Sequence, residues 1–131
     1  MKLNDYIIDH SAFDWLDLVE RWTWILPARF TPWIMNRFGD AFLRTDDGKV
    51  RWLRLDDGTL SCVAESKDDF GDKLDDGKAN DWLMIPLVDR LVAARKILRE
   101  RECYGFVQIP ILGGDYTVSN VEVRDIAAQY D

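Results

Sequence analysis

One histidine and two cysteines in 131 residues leave little material for catalysis or metal binding. His10 stands between Asp9 and Ser11, and adjacent residues do not form a catalytic triad. No Gly-x-Ser-x-Gly nucleophile elbow occurs. Cys62 and Cys103 make at most one bridge, and neither has a metal-ligand spacing. Cys62 reads as a small core residue of a strand. Cys103 needs a neighbour that lowers its pKa before it can act as a nucleophile, and the sequence shows none. A small enzyme using Cys103 or His10 therefore ranks below a non-catalytic protein. No apolar run approaches the ~20 residues of a membrane span. The opening Met1-Lys2-Leu3-Asn4-Asp5 has no apolar secretory core. The expectation is a reduced, cytoplasmic protein. Gly113-Gly114 lacks the further glycines or following lysine of a phosphate loop and reads as a tight turn. Asp72-Lys73-Leu74-Asp75-Asp76-Gly77 fails as a calcium loop, because Leu74 and Leu83 occupy positions that need oxygen ligands. No metal and no cofactor are expected.

Basic residues are also in deficit. Lys and Arg number 17 against 24 Asp and Glu, a formal net charge of −7. Such a chain is a poor candidate for direct contact with nucleic acid, whose phosphates attract Lys and Arg. It suits a basic partner better. The excess is concentrated: residues 27–55 carry +3 and residues 56–84 carry −6. The acidic stretch reads as a solvated helix with its flanking turns or, more sharply, as an acidic contact surface. On the second reading Asp68, Asp69, Asp72, Asp75 and Asp76 form the partner-binding surface, diluted by Lys67, Lys73 and Lys78.

What the chain has in plenty is tryptophan, six in all: Trp15, Trp22, Trp24, Trp33, Trp52 and Trp82. Indoles supply large apolar area, so most are expected in the core, while some can anchor protein contacts. Length and composition favour one domain, residues 1–131. Phe13, Trp15, Leu16, Leu18, Val19 and Trp22, preceded by Ser11 as cap, predict a helix over 12–24. Thr31-Pro32 predicts a second, short helix ending at Gly39. Strand-like runs at 41–45, 50–55 and 60–64 are separated by Asp46-Asp47-Gly48 and Asp56-Asp57-Gly58, which predicts a three-stranded antiparallel meander. Arg51 and Arg54 break strict alternation, as a bulge or an edge position would. Ser66 caps a further helix carrying Phe70 and Leu74, ended by Asp75-Asp76-Gly77. Residues 80–84 begin another helical turn. Pro86 marks a kink or a fresh start, followed by an apolar helical face to about Arg99. Residues 103–109 and 116–123 read as C-terminal strands around a turn at 110–115. The order favours an α+β fold: N-terminal helices, meander, helical segment, then strands.

Two groups of residues resemble a known family. Phe38-Gly39-Asp40-Ala41-Phe42-Leu43-Arg44-Thr45-Asp46-Asp47-Gly48, with Val50 and Trp52-Leu53, is similar to its front half. Cys103-Tyr104-Gly105-Phe106, then Pro110, Leu112-Gly113-Gly114-Asp115-Tyr116 and Asn120-Val121, is similar to its back half. The family is the type VI secretion immunity proteins of the kind that neutralise DNase effectors, formerly a domain of unknown function and often paired with a GAD-like domain. The likeness spans about residues 15–130. A looser likeness, in the small α+β plan alone, is to the SUKH immunity superfamily. The resemblance implies a non-catalytic antitoxin that binds a cognate toxin, a nuclease by analogy, and neutralises it by stoichiometric occlusion. Its motif positions Gly39, Asp40, Trp52, Tyr104, Gly105, Leu112, Gly113, Gly114, Tyr116 and Asn120 read as structural. The alternative is a protein-interaction domain unconnected with toxins.

Overall fold

A computed structural model of the chain describes residues 2–130, without the side chains of residues 12 and 16. The expected apolar contribution of Leu16 thus lies outside the described residues, as do Met1 and Asp131. Among the described residues, one antiparallel sheet runs in chain order through β1 (Phe30–Met35), β2 (Ala41–Thr45), β3 (Val50–Arg54) and β4 (Thr59–Ala64). A separate hairpin is built from β5 (Glu102–Phe106) and β6 (Val121–Asp125). The helices are short: α1 (Trp15–Val19), α2 (Lys67–Lys73), α3 (Ala79–Trp82), α4 (Ile85–Ala93) and α5 (Ile126–Tyr130). The fold is α+β.

The three-stranded meander is present, and its turns form for a local reason. Asp47 accepts from the amide of Lys49 at 3.1 Å, and Asp57 accepts from that of Thr59 at 3.1 Å, so each aspartate closes its own turn. The third Asp-Asp-Gly behaves differently. Gly77 (φ +105) kinks the chain within Leu74–Lys78, and helix resumes at once in α3.

Five expectations need correction, one of them Cys62, which was expected in the core and is exposed on β4. Residues 31–38 are not a helix: Phe30–Met35 is a fourth strand, with a bulge between Pro32 and Ile34. Aromatic and β-branched residues suit a strand, and proline is tolerated because β1 lies at the sheet edge. The helix over 12–24 contracts to α1 between turns at His10–Ala12 and Glu20–Trp22. Ser11 lies inside the His10–Ala12 turn, which Asp9 caps: the Ser11 amide and hydroxyl donate to Asp9 Oδ1 at 3.0 and 2.7 Å, closing a tighter turn. The helix from Pro86 ends at Ala93, where the backbone leaves helical geometry before Arg95 (φ +63). The strand expected over 116–123 is β6 (Val121–Asp125), preceded by a turn at Val118–Asn120 and followed by α5, which pattern reading did not foresee.

Both faces of the sheet are covered. Ala41, Phe42 and Leu43 are consecutive and fully buried, which a strand permits only when each face has a cover. On one face Met35, Ala41, Leu43 and Leu53 meet Trp15, Leu18 and Val19 of α1, Cys103, and Ile126 and Tyr130 of α5. On the other, Ile34, Phe42, Val50 and Ala64 meet Phe70, Ala79, Trp82 and Leu83. Phe70 stacks on Trp82 with ring centroids 4.9 Å apart. This arrangement also accounts for Arg51 and Arg54, which point to opposite faces of β3. The register irregularity lies on β4, where Val50 pairs with Ala64 but Arg51 pairs with Cys62. A third cluster, with Phe38, Leu87, Val88, Leu91, Tyr104 and Phe106, joins α4 to the hairpin.

The corner between β1 and β2 ties these layers together. Asn36 Oδ1 accepts from the amides of Phe38 and Asp40, both at 3.0 Å. Its Nδ2 donates to Trp82 O at 2.9 Å and to Asp40 Oδ2 at 3.3 Å. Asp40 Oδ1 accepts from the amide of Leu55 at 3.0 Å. Tyr130 Oη donates to Gly39 O at 2.7 Å, Gln129 Nε2 to Phe38 O at 3.2 Å, and the amide of Tyr104 to Arg37 O at 2.8 Å. Gly39 needs to be glycine: its φ is +86, and a methyl there would press on Leu55, Gln129 and Ile126.

Burial raises the Asp40 carboxyl from its ordinary 3.8 to about 7, opposed by the Leu55 amide, Asn36 and Arg54 and reinforced by Asp56. The folded chain therefore holds this proton more tightly than the unfolded chain. Its contribution is full below about pH 4 and is lost as pH rises through about 7. Asp40→Asn, which removes the titration and keeps the shape, should flatten the decline in unfolding free energy between pH 4 and 8 by a few kcal/mol relative to the native chain. Urea denaturation across that range checks it; parallel pH profiles would refute it.

Candidate functional site

The motif residues separate into three groups once folded. Gly39, Asp40, Tyr104 and Gly105 are interior. Tyr104 donates its hydroxyl to Lys96 O, fastening the hairpin to the segment after α4. A methyl on Gly105 would stand 2.7 Å from both Arg124 Cδ and Gln129 Oε1, so only glycine lets these side chains lie across the strand. Trp52 is half-buried, stacked on Phe42 with centroids 5.6 Å apart, and the Arg54 guanidinium lies 4.9 Å from its ring centre.

The second group builds a loop. Asn120 Oδ1 accepts from the amide of Gln108 at 3.0 Å. Its Nδ2 donates to Gln108 O at 2.8 Å and to Asp115 O at 2.9 Å. Gln108 Nε2 donates to Leu112 O at 2.8 Å. Gly113 turns the chain with φ +95, and Gly114 sits so close to the chain leaving β5 that a methyl would stand 1.7 Å from Gln108 O. One asparagine thus satisfies backbone groups on both sides of the loop. The segment between β5 and β6 is shaped by these hydrogen bonds together with Ile109 and Val118, which pack against the third cluster.

The third group is what this loop holds outward. Leu112 is 69% exposed, Ile111 66%, Val107 62% and Tyr116 48%. The Tyr116 ring touches Phe106 edge-on at 5.4 Å and otherwise faces out. A recess of about 290 Å³ beside it is lined by Tyr116, Met84, Pro86, Leu87, Arg90, Asn80 and Asp81. Sequence reading treated Leu112 and Tyr116 as structural and missed Val107 and Ile111. The available signal was the run Ile109-Pro110-Ile111-Leu112 inside a turn, where consecutive apolar side chains cannot all be buried. Tryptophan follows its expected division. Trp15 and Trp82 are buried, Trp22, Trp33 and Trp52 half-buried, and Trp24 is exposed.

Of the five aspartates on the acidic stretch, Asp68, Asp72, Asp75 and Asp76 are exposed on α2 and the kink after it. Asp69 is tied into the helix start. Its amide donates to the Ser66 cap at 3.0 Å, and its carboxylate takes the Glu65 amide at 2.9 Å and Lys73 Nζ at 3.1 Å. The Glu65 amide and then Lys73 hold its pKa below the ordinary carboxylate value. Asp81, at the end of this segment, lines the recess beside Tyr116.

The tempting nucleophile is poorly placed. Cys103 is fully buried, and burial pushes its thiol up to about 12, so it carries no thiolate at neutral pH. His10 Nε2 lies 3.3 Å from Trp33 O, and its ring packs edge-on to Trp15. Among the described residues no group of three His, Cys, Asp or Glu is placed to hold a metal ion, and no helix is long and apolar enough to cross a membrane.

Residues 64–129 match the family described as T6SS immunity protein Tdi1, C-terminal. This chain belongs to that family. It is thus a type VI secretion immunity protein, and membership implies a cognate effector toxin as its binding partner. The matched half of the chain contains the acidic segment, the recess and the whole hydrogen-bonded loop. The front group of motif residues, 38–53, lies before it. No match was found among curated proteins or among solved structures.

Replacing Asn120 with Ala strands three backbone groups, and replacing Gly114 with Ala forces the loop apart. Each should lower stability by about 1–3 kcal/mol. Gly71→Ala, on α2 with open space around it, should leave stability unchanged or raise it by up to about 1 kcal/mol. Denaturant midpoints for the three variants check this, and a Gly114→Ala midpoint equal to that of the parent would refute the loop argument.

Proposed function

We propose that this Tdi1-family protein neutralises its effector by one-to-one occlusion, and that the effector is a nuclease with a basic active-site surface. A nuclease must attract phosphates, so its substrate groove carries Lys and Arg. The observation that supports this reading is the bank of exposed carboxylates on α2 and the kink, within a stretch carrying −6. Such a bank offers a nuclease groove the charge its substrate would offer, steering encounter before short-range contacts form. The protein adds no chemistry; it competes for surface.

Co-expression with the cognate effector should restore growth, and calorimetry with a catalytically inactivated effector should show one-to-one binding. Reversing Asp68, Asp72, Asp75 and Asp76 to Lys should slow association at low salt by about tenfold or more and flatten its salt dependence. Asp69 is spared because it holds the start of α2. Stopped-flow association at several ionic strengths measures this; an unchanged on-rate would remove the steering role.

A further inference from the structure

We propose that the loop of residues 107–120 is the surface that seats in the effector, presenting Val107, Ile111, Leu112 and Tyr116 to a recess that is apolar at its centre and basic along the rim facing α3. The proposal rests on the immunity reading above and assigns the contact within it. Among the described residues, four of the eight large apolar side chains that stand exposed lie within this one stretch. A folded chain gains nothing by holding them in water, and clustered exposure of this kind marks a contact surface. Nor is the loop loosely made. Asn120, Gln108 and the close approach of Gly114 to Gln108 O hold its shape without reference to the side chains it displays. A platform already ordered loses little freedom on binding, which is what a tight contact needs.

Charge selects the occupant. The loop between Val107 and Asn120 carries a single side chain charged at neutral pH, Asp115. Its border at the Tyr116 recess is Asp81, the end of the acidic segment. Arg90 is the one cation lining that recess, and its Nε is bonded to Pro86 O at 3.2 Å. A second copy of this chain would bring −7 against −7, and an anionic lipid surface or a nucleic acid would be repelled in the same way. A basic protein with an apolar recess is the partner that both features accept. The apolar loop then supplies the contacts that slow dissociation, while the carboxylates beyond Asp81 speed encounter.

The test uses the full chain and its cognate effector, catalytically inactivated. Leu112→Glu combined with Tyr116→Ala should weaken binding by about 100-fold or more, chiefly through a faster off-rate. Ile111→Ser with Leu112→Ser is a second, milder pair at positions that make no core contact. The serine pair should leave the thermal midpoint unchanged, whereas the pair that includes Tyr116→Ala should lower it by a few degrees because the Phe106 contact is lost, and the serine pair therefore separates binding from folding. Trp24→Ala, the other exposed aromatic, should change affinity less than about threefold. Loop variants that stay folded and bind within threefold of the parent would overturn the proposal, as would loss of binding through Trp24→Ala instead. Sedimentation showing that the parent self-associates and that the loop variants do not would overturn it in favour of a second copy. Failure of the parent chain itself to bind would overturn the immunity reading, and that arm is read separately.

Discussion

The β1–β2 corner, residues 36–40, is the constraint on which the rest of the molecule depends. Five consecutive residues exchange hydrogen bonds with α3, with Leu55 beyond β3, with β5 and with α5. Two of them, Asn36 and Asp40, carry polar side chains almost wholly out of water. Such groups are tolerated inside only when their partners are all in place. The corner therefore registers whether the two layers flanking the sheet have docked correctly. The short helices could not do this by themselves, because α1, α3 and α5 are each too brief to be stable in isolation.

Covering both sheet faces has a consequence for function. The strands have few apolar side chains left to offer a partner, since residues 41–43 are already enclosed. Contact surface must come from the segments between elements. The acidic kink after α2 and the loop between β5 and β6 are such segments, and α3, which follows the kink, faces the loop across the recess between Asp81 and Tyr116. In the occlusion proposed above, the first supplies long-range attraction and the second short-range apolar contact.

Particular residues show what could be read beforehand. The Asp-Gly turns, the Ser66 cap and the fresh helix start near Pro86 were legible because each is decided within four or five residues. The Thr31-Pro32 segment misled because its local cues fit a helix start, while its strand conformation is set by pairing with β2 across the corner, Phe30 with Thr45 through to Met35 with Ala41. The shortening of the first helix followed from Asp9 competing for the Ser11 amide and hydroxyl. α5 was invisible since its anchors, Ile126 and Tyr130, are defined by what they meet across the chain. In the site, Asp68, Asp72, Asp75 and Asp76 are exposed as a charged helix face should be, whereas Asp69 turned out to be committed to the helix start.

The sequence by itself determined the α+β class, the meander, the family and the distribution of charge along the chain. Turn chemistry is local, family motifs are linear, and charge is a sum. Tertiary structure alone decided which apolar residues stay outside. Phe106 and Tyr116 are both aromatic and ten residues apart, yet one is buried and the other half exposed. Burial depends on whether a remote element arrives to cover a side chain. α4 reaches Phe106 and stops short of Ile111 and Leu112, and no local pattern records where that cover ends.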